Sequence, residues 1–353
     1  MKRTILLLVL CMLLEFLRAQ NVNLDNFWIN HSYRKLPNVN IDKSFMTYSV
    51  MVSKTAALDI FSNENTINKI NIEGRKKLGS GGHFIVYITL GDLIIDNSDV
   101  LERVEVIKDK DGNVTGRNYY YKVQVTYSFE ASAYIKDYTG YLLKNYSIAE
   151  RSSKKNYFTN EYNNRSDAAN YYNNNRLEIK ATLVSEQIEN ALNSINGILN
   201  YDFGFYPINS REKLSTVGSK KHPEYLSFEN ACNNAKAALE KISVNEMPNE
   251  VVELLQPSID FFIEIPGKYD MIDDKNEKKL RYAAYYDLAE IYFVIEQFDK
   301  AKEYAQKVID NDYDKKDGKQ IIEESDKILM QFEEQQIFTR HFTPDIANAQ
   351  PPQ

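Results

Sequence analysis

The chain has 353 residues, with 43 lysines and arginines against 50 aspartates and glutamates, and a formal charge of −7. An acidic balance with no basic stripe excludes the electrostatic footprint of a nucleic-acid binder and of a protein docked on anionic lipid. Two cysteines, Cys11 and Cys232, exclude a disulfide framework, and the length suggests two domains, each able to bury a core.

The first twenty residues read as an address. Lys2 and Arg3 precede an apolar run, Ile5 to Leu14, and Leu17-Arg18-Ala19 leads into Gln20. This is the pattern of a cleavable secretory signal over 1–20, and its apolar run is too short to span a bilayer as a helix. The expectation is an exported protein, periplasmic or secreted, of a Gram-negative-type envelope, with no stable membrane span in the mature chain. Cys11 follows Leu10 rather than a small residue, which argues against lipidation. Cleavage removes Lys2, Arg3, Arg18 and Glu15 and takes the charge from −7 to −9. Cys232 is then the remaining thiol, on an apolar helical face among alanines, where a small buried hydrophobe is expected.

Residues 21–200 read as a β-rich domain. From Tyr119 to Ile135 apolar and polar residues alternate with period two, so one face is buried and the other wet. The run is long for a strand and predicts a bend or bulge near Ala131. Asp137 to Gly140 makes a turn, and 141–148 returns as a partner. Arg103 to Lys108 pairs toward the same strand through a turn at Asp111-Gly112. Phe84–Leu90 and Tyr48–Val52 are further strands, so the sheet is mainly antiparallel. A long helix follows at about 165–197, with Ser166 as N-cap and Gly197 as its end, covering the sheet. The domain boundary is placed at 200–221, where Gly204, Pro207, Gly218 and Pro223 punctuate the chain. Residues 339–353, with Pro344, Pro351 and Pro352, read as a disordered tail.

Residues 222–334 read as helical. Apolar residues recur with helical spacing over His222–Ile242 and Pro248–Ile265, with a kink or restart at Pro257. Between Tyr282 and Tyr313 the spacing is more specific. Tyr285, Leu288, Ala289 and Tyr292 share one face, Phe298 follows a short turn, and Ala301, Ala305 and Val308 give a second packing face. These positions resemble the tetratricopeptide repeat, a helix-turn-helix unit of about 34 residues. Ala305 stands where that pattern has an aromatic and Tyr313 where it has proline. The resemblance implies neighbouring helices, since one repeat cannot bury both faces, and Gly318–Glu334 reads as a capping helix. It also implies an exposed partner-binding face on the first helix, for which Tyr286 and Glu290 are the candidates. The architecture expected is thus α+β: an antiparallel sheet domain covered by a long helix, then a TPR-like helical domain.

No catalytic, cofactor or metal constellation is read. Asp109, Asp111 and Asn113 open like a calcium loop, but Val114 and Tyr120 stand where it needs glycine and glutamate. Asp310, Asp312, Asp314 and Asp317 read as capping acids of a solvated loop. Gly79 to Gly82 lacks the Lys-Ser/Thr ending of a phosphate loop. His31, His83, His222 and His341 lack metal-ligand spacing. The tyrosines of the strand face read as core before they read as a sugar platform. The expected function is a non-enzymatic exported scaffold that binds other envelope proteins through TPR-like helices. The alternative is a cell-envelope glycan binder.

Overall fold

The computed structural model describes residues 21–55, 58 and 68–352, and the leader predicted at 1–20 lies outside them. The protein is α+β, and it divides into two compact units, neither of them a continuous stretch of chain. One is built from residues 44–204 with short pieces 37–39 and 345 onward, and the other from the chain up to Leu36, 40–43 and 205–344. Among the described residues no helix is long and apolar enough to cross a membrane.

The first of these, the sheet unit, holds two sheets and one long helix. Strands β2 (Thr47–Lys54), β3 (Lys76–Leu78), β4 (Phe84–Leu90), β7 (Ala131–Asp137) and β8 (Leu142–Ala149) form a sheet of order β3-β2-β4-β7-β8. Here β2 runs parallel to both β3 and β4, whereas β4-β7 and β7-β8 are antiparallel. Strands β5 (Ile94–Lys108), β6 (Val114–Ser128) and β9 (Lys155–Phe158) form a second, antiparallel sheet. The single bent strand expected over 119–135 is two strands: the chain leaves one sheet after Ser128 and enters the other at Ala131. The buried Phe129 marks the crossing.

Helix α1 spans Arg165–Phe203. Its N-cap is Asn164, whose side chain accepts the Asp167 amide at 2.8 Å, two residues before the predicted Ser166. Gly197 sits inside the helix, and the end comes at Gly204, where an added Cβ would lie 2.8 Å from the Asn200 carbonyl. The helix packs on both sheets. Gln187 reaches Tyr127 of β6, Tyr146 of β8 donates to Asp202 at 2.5 Å, and Phe203 stacks on Phe84 of β4 at 5.3 Å.

The second unit is a two-stranded ribbon packed on helices. Strands β1 (Leu24–Arg34) and β10 (Pro207–Val217) pair antiparallel along their whole length, Leu24 opposite Val217 and Arg34 opposite Pro207. The units part between Gly204 and Phe205, inside the boundary placed at 200–221, but that stretch also carries strand β10, and β1 belongs with the helices rather than with the sheets. Helices α2 (Tyr225–Leu239), α3 (Asn249–Lys268), α4 (Lys275–Val294), α5 (Phe298–Asp310) and α6 (Lys315–Gln335) follow. The ribbon buries Ile29 and Leu214 completely, worth about 1.5–3 kcal/mol each. Pro257 does not interrupt α3. The carbonyl it leaves unbonded one turn back belongs to the exposed Glu253, where water can serve it.

The segment expected as a disordered tail is partly a buried strap. Arg340 and His341 are 6 % and 2 % exposed. Glu296, in the turn between α4 and α5 at φ +60°, accepts from Arg340 Nε at 2.7 Å and from Thr339 Oγ1 at 2.6 Å. A buried carboxylate with several donors fixes a segment that local propensity alone would leave loose.

Candidate functional site

The repeat positions lie as follows. Leu288, Ala289, Ala301, Ala305 and Val308 are fully buried, Tyr292 and Phe298 nearly so, and Tyr285 is half-buried. Tyr292 stacks on Tyr304 at 5.6 Å, and Phe298 meets Phe293 and Phe332 edge-on. The partner face placed on Tyr286 and Glu290 is not exposed: these residues are 5 % and 8 % accessible. Helix α4 is buried nearly all round, because β10 lies against the face that a free-standing helix pair would show to solvent.

The β10 edge explains two buried groups. The Gly218 amide bonds to the Asn23 carbonyl, so in this antiparallel register the backbone of Ser215, Lys213 and Arg211 points away from β1. At Ser215 the outward amide donates to Asp287 Oδ1 at 2.6 Å, and the outward carbonyl accepts from Cys232 Sγ at 3.7 Å. Asp287 is fully buried and its carboxyl is pushed well above the carboxylate range by burial. Burial likewise raises the Cys232 thiol, which is thereby a poor nucleophile.

Beyond Ser215 the edge opens into a cleft. Its floor is α4, one wall is the ribbon, and the other is the face of α6 that carries Asp317, Gln320, Glu324, Ile328 and Gln331. The cleft holds two cavities of about 210 and 130 Å³, both bordered by Glu212, Phe293 and Glu324. Each is smaller than the roughly 300–1,000 Å³ of a drug-sized pocket, which suits one side chain or a small polar molecule.

The larger cavity is lined by groups with unmet hydrogen-bonding capacity. His31, inward on β1, approaches Glu212 through Nε2 at 3.5 Å, and this contact holds the Glu212 carboxyl below its usual range. A carboxylate only accepts, so Nε2 carries the proton toward it, and in the neutral ring Nδ1 is a lone-pair acceptor. Among the described residues Nδ1 has no partner, and His31 is 3 % exposed. Arg340 lies over Tyr33 at 4.2 Å, spends its Nε on Glu296, and leaves Nη2 buried without a partner. These two polar nitrogens, both withdrawn from water, cost free energy until something bonds to them.

The smaller cavity carries a perturbed acid. Burial, above all, pushes Glu290 up to about 8. Asp317 accepts from Tyr282 at 2.5 Å and lies 3.3 Å from Lys213 Nζ, which sits over the Tyr286 ring at 4.8 Å. At the mouth stands Trp28, 42 % exposed, under the Arg211 guanidinium at 4.3 Å.

The remaining candidates have structural partners. Asp109 accepts the amides of Asp111 and Asn113 and closes the β5-β6 turn, with Gly112 at φ +86°. Asp314 caps α6, Asp312 pairs with Lys315, and Asp310 accepts from Gln306. Asp317 differs from the other three in turning inward. Among the described residues no cluster of histidine, cysteine and acids could hold a metal. His83 bonds Thr47, His222 accepts the Glu224 amide, and His341 bonds the Ser243 carbonyl.

Sequence reasoning passed over His31, Glu212 and Arg340 as members of one site. The available signal was the period-two pattern Phe27, Ile29, His31, Tyr33, which sets a histidine at an inward position. No family model matches the chain, and no curated protein matches it.

Proposed function

We propose that the protein is an exported, non-enzymatic scaffold, and that it takes an extended segment of another envelope protein into the cleft between β10 and α6. The observation that carries this reading is the pair of unmet polar atoms, Arg340 Nη2 and His31 Nδ1, in a cavity beside an outward strand edge. A peptide supplies amides and carbonyls for an open edge and a side chain for each pocket, the logic of strand addition. The TPR-like character of α4 and α5 supports the same class of function, with one change from the sequence-based expectation: the partner face is the α6 wall, not Tyr286 and Glu290.

A photocrosslinking residue placed at Ile328 or Gln320, both on the cleft wall, tests this in the producing cell. A discrete protein adduct is expected from these positions and none from Leu226, an exposed site on α2. Equal labelling at all three, or none at the cleft, contradicts the reading.

A glycan ligand is the second reading, favoured by Trp28 at the cavity mouth. An exposed indole beside carboxylates and cationic donors is a surface on which a sugar can stack and bond. Trp28 is the chain's one tryptophan, so its emission reports on the cleft directly. A saturable change with soluble oligosaccharides supports this reading, and a flat titration removes it.

A further inference from the structure

The β5-β6 hairpin extends past the elements that cover its base. Strand β9 pairs with β6 only from Gln124 to Tyr127, and among the described residues no strand pairs with the outer edge of β5. From Leu101 outward both faces are exposed, and Val104, Val106, Val114 and Tyr119 are each more than 40 % accessible. An isolated two-stranded ribbon is marginal in water, and a long apolar edge is a template for pairing.

The backbone direction at this edge follows from the bonds on the other side of β6. Tyr121 exchanges amide and carbonyl bonds with Tyr162, and Val123 accepts from Thr159, so both point away from β5. The alternate residues Asn118, Tyr120 and Lys122 therefore bond to Glu105, Arg103 and Leu101. That leaves Glu102, Val104 and Val106 with outward amides and carbonyls.

We infer that β5 pairs antiparallel with β5 of a second copy of this chain about a two-fold axis at Val104. In this register Val104 bonds to Val104 of the other copy and Glu102 to Val106. Arg103 then stands opposite Glu105, and Leu101 opposite Ile107, each twice by symmetry. The neighbouring two-fold registers place like charges together: Arg103 on Arg103, Glu105 on Glu105, or Glu102 on Glu102. Centring on Val106 sets Glu105 against Ile107. The charge pattern selects one register, as an isologous interface requires. Arg103 already binds Glu161 through two nitrogens at 2.9 and 2.6 Å, and Tyr120 donates to Glu105 at 3.0 Å, so both charges are held in place before pairing.

Sedimentation of the full chain over a concentration series tests this, with circular dichroism as the check on folding. Wild type is expected to form dimers. Arg103→Glu and Glu105→Arg each set like charges opposite one another and should weaken self-association about tenfold or more. Mixed in equal amounts, the two variants should recover a heterodimer, because every charge at these two positions then faces one of opposite sign across the axis. Val104→Pro removes an outward amide that the hairpin does not use, and should abolish dimers while leaving the fold intact. The inference is overturned by a wild type that stays monomeric at about 1 mM, by dimers that none of these variants weakens, or by a mixture of the two charge variants that stays monomeric.

Discussion

Glu290 is an acid held in its neutral form at the side of the cleft. Its folded pKa of about 8 stands above its ordinary value of 4.5, so the folded state binds the proton more tightly than the unfolded chain does. The stability contributed by that proton is fully present below pH 4.5 and is lost as pH rises to about 8. Glu290→Gln should therefore flatten the fall in stability over that window and raise the melting temperature at pH 9, measured by thermal denaturation across pH. Glu296 is the opposite case, a buried acid with a buried cation: its side chain and that of Arg340 are 6 % and 7 % exposed. Glu296→Gln keeps the shape and leaves the guanidinium charge uncompensated, at a cost on the order of 3 kcal/mol by urea unfolding. Neither residue's role is legible in the sequence. A helical wheel drawn without β10 assigns Glu290 to solvent, and the prolines around Arg340 assign it to a loose tail.

At the scale of elements, strong periodicity was legible and mixed periodicity was not. The hairpin turn at Asp111-Gly112, strand β4, the long helix and the α4-α5 pair follow from runs in which one face is plainly apolar. Strands β1 and β10 carry His31, Tyr33, Ser210 and Glu212 at inward positions, so their alternation is masked by the residues that build the cleft. The parallel pairing of β2 with β4 has no local signature, since it is fixed by a crossover and not by a turn. The crossing of α5 and α6 has a sharper determinant. A Cβ at Gly318 would lie 2.5 Å from the Ala305 carbonyl and 2.9 Å from Ile309 Cγ1. Gly318→Ala gains about 1 kcal/mol of helix propensity but drives the two helices apart. A net loss of about 1–2 kcal/mol is expected by urea unfolding, and the cleft wall carried by α6 should shift with it.

At the scale of the molecule, the α+β class and the break near Gly204 were legible, and the assignment of β1 and of the segment after 334 was not. A helical unit cut at 222–334 omits β1, β10 and the Arg340 strap, so it exposes what Ile29 and Leu214 bury and strips Glu296 of its cation. A fragment spanning 205–344 should accordingly be unstable alone and should gain a cooperative melt when a peptide of residues 21–36 is added, detected by circular dichroism. Such complementation would show that the ribbon belongs to the helices. The central claim, that the cleft beside α6 is the binding site, is tested most directly by plugging it. Ile328→Trp fills the larger cavity from its α6 wall and leaves Arg340, His31 and Glu296 unsubstituted. The measurement is the yield of the in-cell crosslinked adduct from Gln320, in the Ile328→Trp chain and in the wild type, with melting temperatures recorded for both. The expected result is an unchanged melting temperature with the adduct lost; an adduct retained at full yield in the folded variant contradicts the claim.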